Sequence, residues 1–158
     1  MTITHDTFGS SNPNKKEPQP MTRGDLFQLL ELGRLENEIK IGQILFKMKT
    51  LSAIELSSIY KEFGEDLTEM EGKDLSEVFV TKNSRYLKLS STILAYSIIS
   101  VNDAPLESFV DTDEEGDIVT LKKNIIANFQ WPVIHSLMEF YNNLIGKANA
   151  EFGEELKK

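Results

Sequence analysis

The sequence predicts an α+β fold that is predominantly α-helical, with an N-terminal β-hairpin packed on a bundle of about four to five helices. Two short segments alternate apolar and polar residues on either side of Gly42-Gln43, which is the pattern of a hairpin. Later segments repeat apolar residues at helical spacing. The 158 residues, 40% of them hydrophobic and 27% charged, suffice for one domain with a single core.

The N-terminal segment differs from the rest of the chain in composition. Residues 10–20 contain three prolines and show no apolar periodicity, so this segment buries too little to offset its ordering entropy. We therefore expect a flexible tail over residues 1–22 and a single globular domain over residues 23–152. The charged C-terminus, residues 153–158, is expected to fray.

The first helix and the hairpin follow the tail. Asp25 is predicted to be the N-cap with Gln28 at the capping-box position, and Gly33 is predicted to end the helix in a left-handed cap. Gly42-Gln43 is predicted to form a type II′ turn between two strands. One face of the hairpin is apolar and needs a cover; it carries Leu35, Ile39, Ile41, Ile44, Phe46 and Met48.

That cover is predicted to start with a helix at the capping box Ser52-Ala53-Ile54-Glu55. Its apolar face holds Leu56, Ile59, Tyr60 and Phe63, and Gly64 is expected to end it. An acidic loop is expected over 65–74, and residues 75–80 are compatible with a short helix or a strand.

The most apolar helix is predicted to begin with Ser84 as its cap and to lie at the centre of the domain. The turn Asn102-Asp103-Ala104-Pro105 stops it. Because Ile98, Ile99 and Val101 are β-branched, residues 98–101 are alternatively a strand before this turn.

A second acidic loop over 111–117 precedes a helix with Ile118, Leu121, Ile125 and Phe129 on one face. Pro132 is predicted to occupy the first position of a new, long amphipathic helix. Its apolar residues are Val133, Leu137, Phe140, Tyr141, Leu144, Ile145 and Ala148.

Composition excludes several classes of function. The net charge is −8 and basic residues do not cluster, which disfavours nucleic acid and anionic membrane surfaces as partners. There is no Cys, so disulfides and thiol chemistry are absent. Residues 1–10 lack a basic region followed by an apolar run, so we expect no signal peptide and a cytoplasmic location.

Candidate chemical sites are weak. Residues 111–118 resemble a calcium loop, but Lys122 stands where the bidentate Glu is needed, so a solvated turn is favoured. His5 and His135 have no partner at metal-binding or triad spacing. The tripeptide Arg23-Gly24-Asp25 is too short to be specific. We therefore predict no catalytic, cofactor or metal site and no enzyme activity.

Two apolar surfaces are candidates for binding a protein partner. The first helix offers Leu26, Phe27 and Leu30. The last helix has a broad stripe in which Phe140 and Tyr141 are adjacent, as are Leu144 and Ile145. A stripe wider than one packing face serves a partner as well as the core, although core packing alone is the favoured interpretation.

One part of the chain resembles a known group of proteins. The sequence reads FKMKTLSAIE at residues 46–55, YLKL at residues 86–89 and LAYSIISVNDAPL at residues 94–106. With the preceding hairpin strand, this stretch of 39–106 is similar to tail assembly chaperones and related small baseplate proteins of tailed bacteriophages. Their helix closes on a glycine-containing turn, which Asp103-Ala104 replaces here.

The resemblance implies a non-enzymatic protein that binds the tape measure protein, tail tube subunits or both during tail assembly in the host cytoplasm. It also implies self-association. The alternative is a structural baseplate or tail hub component that stays in the virion and uses residues 1–22 as an ordering arm. A small regulatory protein unrelated to phages is a third interpretation.

Overall fold

The computed structural model describes residues 18–70, 75–109 and 117–157, and for 65–70 and 75–83 it describes the backbone alone. Predictions for residues 1–17 of the tail, for 71–74 of the first acidic loop and for 110–116 of the second lie outside the described residues. The chain divides into two compact units, Met1–Glu31 and Leu32–Lys158.

The predicted fold class is confirmed: the chain is α+β and mostly helical, with a β-hairpin packed against helices. The described residues form five α-helices, an antiparallel sheet in the order β1-β2-β3 and a short 3-10 helix at Leu106–Phe109. The helices are α1 (Arg23–Glu31), α2 (Ala53–Met70), α3 (Leu75–Ser97), α4 (Ile118–Ala127) and α5 (Trp131–Leu156). The strands are β1 (Glu36–Ile41), β2 (Ile44–Lys49) and β3 (Ile98–Val101).

The first helix, α1, begins with a capping box formed by Thr22 and Asp25. Thr22 Oγ1 accepts a hydrogen bond from Asp25 N at 3.1 Å, and Asp25 Oδ2 accepts one from Thr22 N at 2.8 Å. The prediction that Asp25 is the N-cap with Gln28 as its partner is therefore wrong. Thr22 caps the helix because its hydroxyl reaches an N–H that has no intrahelical acceptor.

The hairpin has the predicted register and turn. Ile39 pairs with Phe46 and Ile41 with Ile44, so the apolar residues share one face. Gly42 has φ +62° and Gln43 has a negative φ, the combination that a type II′ turn requires. Phe46 is buried in the core. Gly33 has φ +82°, the left-handed conformation predicted for it.

The third strand confirms the strand interpretation of residues 98–101. β3 pairs antiparallel with β2, with a register shift that leaves Ile99 without a partner on β2. The turn that follows has positive φ at Asn102 (49°) and Asp103 (64°), and it closes through Val101 N, which donates to Ala104 O at 2.8 Å. Asn and Asp tolerate this region better than other non-glycine residues.

The helix α2 begins at the predicted capping box. Ser52 N donates to Glu55 Oε2 at 2.8 Å, and Glu55 N donates to Ser52 Oγ at 3.3 Å. The helix does not end at Gly64: it kinks at Phe63 (φ −124°, ψ 18°) and continues to Met70. The predicted loop is therefore helical over residues 65–70. A glycine lowers helix propensity, but without a positive φ it does not stop the helix.

The central helix, α3, is longer than predicted. It runs from Leu75 through Ser84 without a break, so residues 75–80 are helical and Ser84 is not an N-cap. Its central position is confirmed, because it packs against α2, α4 and α5. Ser97 at its end donates a hydrogen bond to Lys49 O at 2.6 Å, which ties the helix to β2. The residues that it buries in the core are Leu89, Ile93, Leu94 and Ala95.

The two C-terminal helices start within one residue of the predicted positions, with Trp131 rather than Pro132 as the first residue of α5. Asp117 caps α4 by accepting a hydrogen bond from Val119 N at 3.3 Å, and Pro132 lies in the first turn of α5. In α4, Lys122 Nζ donates to Ile98 O at 2.6 Å, and burial lowers the pKa of this amine. α5 continues to Leu156, through residues for which the sequence predicts fraying.

Candidate functional site: an apolar groove beside the hairpin turn

The first predicted partner-binding surface lies on α1 and is exposed. Leu26, Phe27 and Leu30 are 44%, 56% and 65% exposed. No residue of α1 is buried. The Arg23 guanidinium lies 5.9 Å from the centroid of the Phe27 ring, a distance at which a cation is attracted to the ring face. These side chains remain predictions as binding residues, and they are accessible to a partner.

The second predicted surface, on α5, is largely used by the core. Tyr141 and Leu144 are buried, and Phe140 and Ile145 are half-buried against the same cluster. Burial raises the pKa of Tyr141 to about 12, with a smaller contribution from Glu55, so its phenol is neutral at physiological pH. The broad stripe therefore packs mostly inward, the interpretation that the sequence favours.

A third apolar surface, which the sequence does not predict, is a groove beside the hairpin turn. It encloses about 560 Å³, within the range of clefts that hold ligands or partner side chains. Its lining comes from four parts of the chain: the β1–β2 turn, β3 with its turn, the 3-10 helix and the α4–α5 junction. The lining residues are Ile41, Gly42, Ile44, Phe46, Val101, Asn102, Leu106, Phe109, Ile125, Phe129, Gln130 and Val133.

The floor of the groove is held by packing and strand pairing. Phe46 lies opposite Val101 in the sheet. Its ring meets that of Phe129 edge-to-face, with centroids 6.3 Å apart and planes at 74°. Leu106, the first residue of the 3-10 helix, is buried beside them. The floor is therefore continuous with the core.

The rim exposes two large apolar side chains to water. Ile44 is 44% exposed and Phe109 is 60% exposed. Exposed apolar groups beside a concave apolar floor are typical of a surface that a partner covers. We name this surface, floor and rim together, the hairpin groove.

Asn102 fixes one side of the hairpin groove. Its Oδ1 accepts a hydrogen bond from Leu45 N, and its own N donates to Leu45 O, both at 2.8 Å. These two bonds tie the β3 turn to the central strand although the two residues are 57 positions apart. The left-handed backbone at Asn102 is thus held in place by pairing with β2.

The chemistry of the hairpin groove is that of apolar contact. No charged side chain lines it, and Gly42, Asn102 and Gln130 supply its polar groups. A lining without titratable groups offers no proton donor or acceptor for catalysis. The groove provides apolar surface, and burying that surface against a partner is favourable because it removes the surface from water.

Sequence reasoning missed the hairpin groove because its walls are far apart in the chain. The sequence offered one indication of it. Leu106 and Phe109 are two apolar residues that follow a turn, in a segment for which no helix or strand was predicted. Apolar residues in a connecting segment indicate either core packing or a contact surface. Leu106 serves the first role and Phe109 the second.

Other candidate chemistry does not converge. His135 Nε2 lies 3.3 Å from Glu139 Oε1, and the ring packs 5.7 Å from Trp131, a structural role on α5. Within residues 18–70, 75–109 and 117–157, no three His, Asp or Glu side chains group as metal ligands. None of the helices in the described part of the chain combines the length and apolar character that a bilayer span requires.

Comparison of this chain with protein-family models, with curated proteins and with solved structures finds no match.

Proposed function

We propose that this chain is a non-enzymatic tail assembly chaperone of a tailed bacteriophage, which holds apolar segments of the tape measure protein or of tail tube subunits during tail assembly. The proposal starts from the sequence resemblance over residues 39–106. Its main structural support is the hairpin groove, an exposed apolar surface whose floor is continuous with the core.

The location of the hairpin groove links it to the resemblance. More than half of its lining comes from two stretches within 39–106, namely 41–46 and 101–106. These stretches are distant in sequence and meet through the pairing of β2 with β3. Part of the stretch that carries the resemblance, including Phe46, Val101 and Leu106, therefore also lines the groove.

The neutral lining favours one kind of partner contact. An amphipathic helix that lays its apolar face into a groove buries side chains at helical spacing and needs no charge on the groove floor. A tape measure protein presents such helix faces before the tail tube encloses it. The net charge of −8 on the chaperone would keep the complex soluble.

Binding is tested with the tape measure protein of the same phage and two matched variants. Phe109→Asp places a charge on the rim of the hairpin groove, whereas Ile54→Asp places one at a 77% exposed position of α2, outside the lining. Burying a Phe side chain contributes about 1.5–3 kcal/mol, so Phe109→Asp is expected to weaken binding about tenfold or more. Ile54→Asp is the control, with unchanged affinity expected. Equal affinity of both variants would show that the groove does not bind the tape measure protein.

The chaperone role is tested by quantitative mass spectrometry of purified particles beside the lysate of infected cells. A chaperone is expected to be abundant in the lysate and absent from particles. A fixed copy number in particles would instead make the chain a structural baseplate or tail hub component.

A further inference from the structure

The strand β1 forms an open edge of the sheet. In the described part of the chain, β1 pairs with β2 on one side and with no strand on the other. Its pairing with β2 runs from Glu36 to Ile41 without a register shift, and the strand contains no proline. The whole strand lies within the unit Leu32–Lys158. A regular open edge offers a row of backbone N–H and C=O groups to another strand.

The hydrogen bonds of the hairpin show which residues of β1 face the open edge. Thr50 N donates to Leu35 O at 3.0 Å, so the backbone of Leu35 points toward β2. Successive residues of an antiparallel strand alternate between the two sides. The residues whose backbone groups face the open edge are therefore Glu36, Glu38 and Lys40.

The Glu38 N–H agrees with this alternation, because it bonds to Asn37 Oδ1 at 2.9 Å rather than to β2. Its acceptor belongs to an exposed side chain. A carbonyl group of an added strand is an equivalent acceptor, and the Asn37 amide can then bond to water instead. This side-chain bond therefore does not close the edge.

Two of the residues that face the edge carry opposite charges. Glu38 and Lys40 are both exposed, and because they are two positions apart they lie on one face of the sheet. Neither forms an ion pair within the described residues. Glu36, by contrast, bonds to Arg34 at 2.6 Å and lies 3.7 Å from Lys47. Glu38 and Lys40 are thus the charges that a partner strand would meet.

An antiparallel second copy of β1 complements these charges when the two strands pair around Ile39. Glu38 then lies opposite Lys40 of the second copy, and Lys40 lies opposite Glu38 of the second copy. Both residues direct their backbone groups outward, so each pair exchanges both of its backbone hydrogen bonds. Opposite charges directly across two strands stabilise their pairing.

The neighbouring registers bring like charges together. Pairing around Glu38 or around Lys40 places that residue opposite itself, and pairing around Asn37 places Glu36 opposite Glu38. Like charges directly opposite each other are destabilising. Charged side chains usually protect an open edge from other edges, but those of β1 permit this one register.

The apolar face of β1 favours the same register. Ile39 and Ile41 are half-buried against the core, so part of each side chain stays exposed. Around the two-fold axis, Ile39 meets Ile39 of the second copy as a non-hydrogen-bonded pair, the kind in which side chains come closest. Contact between these β-branched side chains adds to the backbone bonds.

We propose that two copies of this chain associate through β1, which pairs antiparallel with β1 of the second copy around Ile39 and joins their three-stranded sheets into one. In strand addition of this kind, backbone hydrogen bonds give affinity and alternate side chains give specificity. The order Glu38, Ile39, Lys40 is complementary to itself when reversed, which selects a second copy as the partner and makes the interface two-fold symmetric. This inference goes beyond the proposed function and holds whether or not the chain is a chaperone.

Sedimentation equilibrium of the full-length chain and of charge variants tests the pairing. The wild-type chain is expected to show a monomer–dimer equilibrium, since an interface of one strand from each copy is small. Lys40→Glu makes both edge positions acidic and Glu38→Lys makes both basic, so each variant alone should dimerise about tenfold more weakly. An equimolar mixture of the two restores opposite charges in both pairs and should form a heterodimer about as tight as the wild-type dimer.

Lys61→Glu is the matched control, because it makes the same change of charge at an exposed position of α2. It should dimerise as the wild type does. Circular dichroism establishes that each variant is folded. A wild-type chain that stays monomeric up to about 1 mM overturns the proposal. A folded Lys40→Glu variant that dimerises as tightly as the control overturns it too, as does a mixture of the charge variants that does not associate.

Disulfide cross-linking tests the register, because the native chain has no Cys. Ile39→Cys places two thiols across the two-fold axis at a Cα separation of about 4.5 Å, within the range of a disulfide. Ile41→Cys is the matched control on the same strand and face. Its two copies would lie about 14 Å apart, since a strand advances about 3.4 Å per residue. A covalent dimer is expected from Ile39→Cys and little from Ile41→Cys, and equal yields would overturn the proposed register.

Discussion

At the scale of single residues, Glu55 joins two elements. Its Oε1 lies 2.6 Å from Lys49 Nζ at the end of β2, and its Oε2 accepts the Ser52 N–H at the start of α2. Burial acts to raise the pKa of Glu55, but the hydrogen bonds from Lys49 and Ser52 outweigh it and hold the pKa below the usual value of 4.5. The ionised carboxylate is therefore the form that the fold stabilises.

Glu55→Gln is expected to make the free energy of unfolding depend less on pH between neutral and acid conditions. A carboxyl group whose pKa is lowered by folding stabilises the protein fully at pH values above its unfolded pKa, near 4.5. This stabilisation is lost as the pH falls through the pKa of the folded state. At pH 7 the variant should be less stable by about 1 kcal/mol, the ordinary size of a capping interaction. Urea unfolding of both proteins at several pH values measures the gap, which should close at acid pH.

The control for this prediction is Glu151→Gln, an exposed change on α5. It should leave the free energy of unfolding within about 0.5 kcal/mol of the wild type at each pH. A gap between Glu55→Gln and the wild type that stays constant from neutral to acid pH would show that the charge of Glu55 does not contribute.

At the scale of elements, two glycines with open space around them differ in backbone conformation. A Cβ atom at Gly42 or at Gly146 would meet no atom within 4 Å, but Gly42 has φ +62° in the hairpin turn whereas Gly146 lies within α5. The pair therefore separates backbone strain from packing.

Gly42→Ala is expected to destabilise the protein by about 1 kcal/mol, because an L-residue is strained at positive φ. Gly146→Ala is expected to stabilise it by about 0.5–1 kcal/mol, since alanine has the higher helix propensity. Thermal unfolding of both variants gives the signs. A neutral Gly42→Ala would mean that the turn adjusts its backbone at no cost.

Elements defined by local signals could be predicted from the sequence. The hairpin register follows from alternation around Gly42, and the start of α2 follows from Ser52 and Glu55 three residues apart. Predictions of helix boundaries failed where a single residue typical of a helix end or start lies inside a longer helix. Gly64 and Ser84 are reasonable boundary residues, yet the helical backbone continues through both.

The candidate site could be predicted only in part, for a related reason. The apolar residues of α1 are visible as a surface in the sequence because one helix carries them. In the hairpin groove, Ile44 and Phe109 line the same surface because of tertiary packing. A local sequence pattern does not indicate such packing. On α5, neighbouring apolar residues such as Phe140 and Tyr141 suggest a spare face, but its width is used against the sheet and α3.

At the scale of the whole molecule, the net negative charge of the chain opposes folding. The chain has 25 acidic and 17 basic residues, so like-charge repulsion accumulates as it folds. Some acidic residues are paired locally, among them Glu36 with Arg34 at 2.6 Å and Glu154 with Lys157 at 3.5 Å. Exposed pairs of this kind contribute about 0–1 kcal/mol each, too little to decide the balance.

Added sodium chloride is therefore expected to raise the melting temperature. The Debye length falls from about 30 Å at 0.01 M salt to about 8 Å at 0.15 M, which screens repulsion between distant carboxylates more than it weakens the half-buried Lys49–Glu55 pair. The melts are compared at one fixed protein concentration, because any self-association would make the melting temperature concentration-dependent. Chloride is used because sulfate would strengthen apolar burial by itself. A melting temperature that falls with sodium chloride would mean that local ion pairs outweigh the net charge.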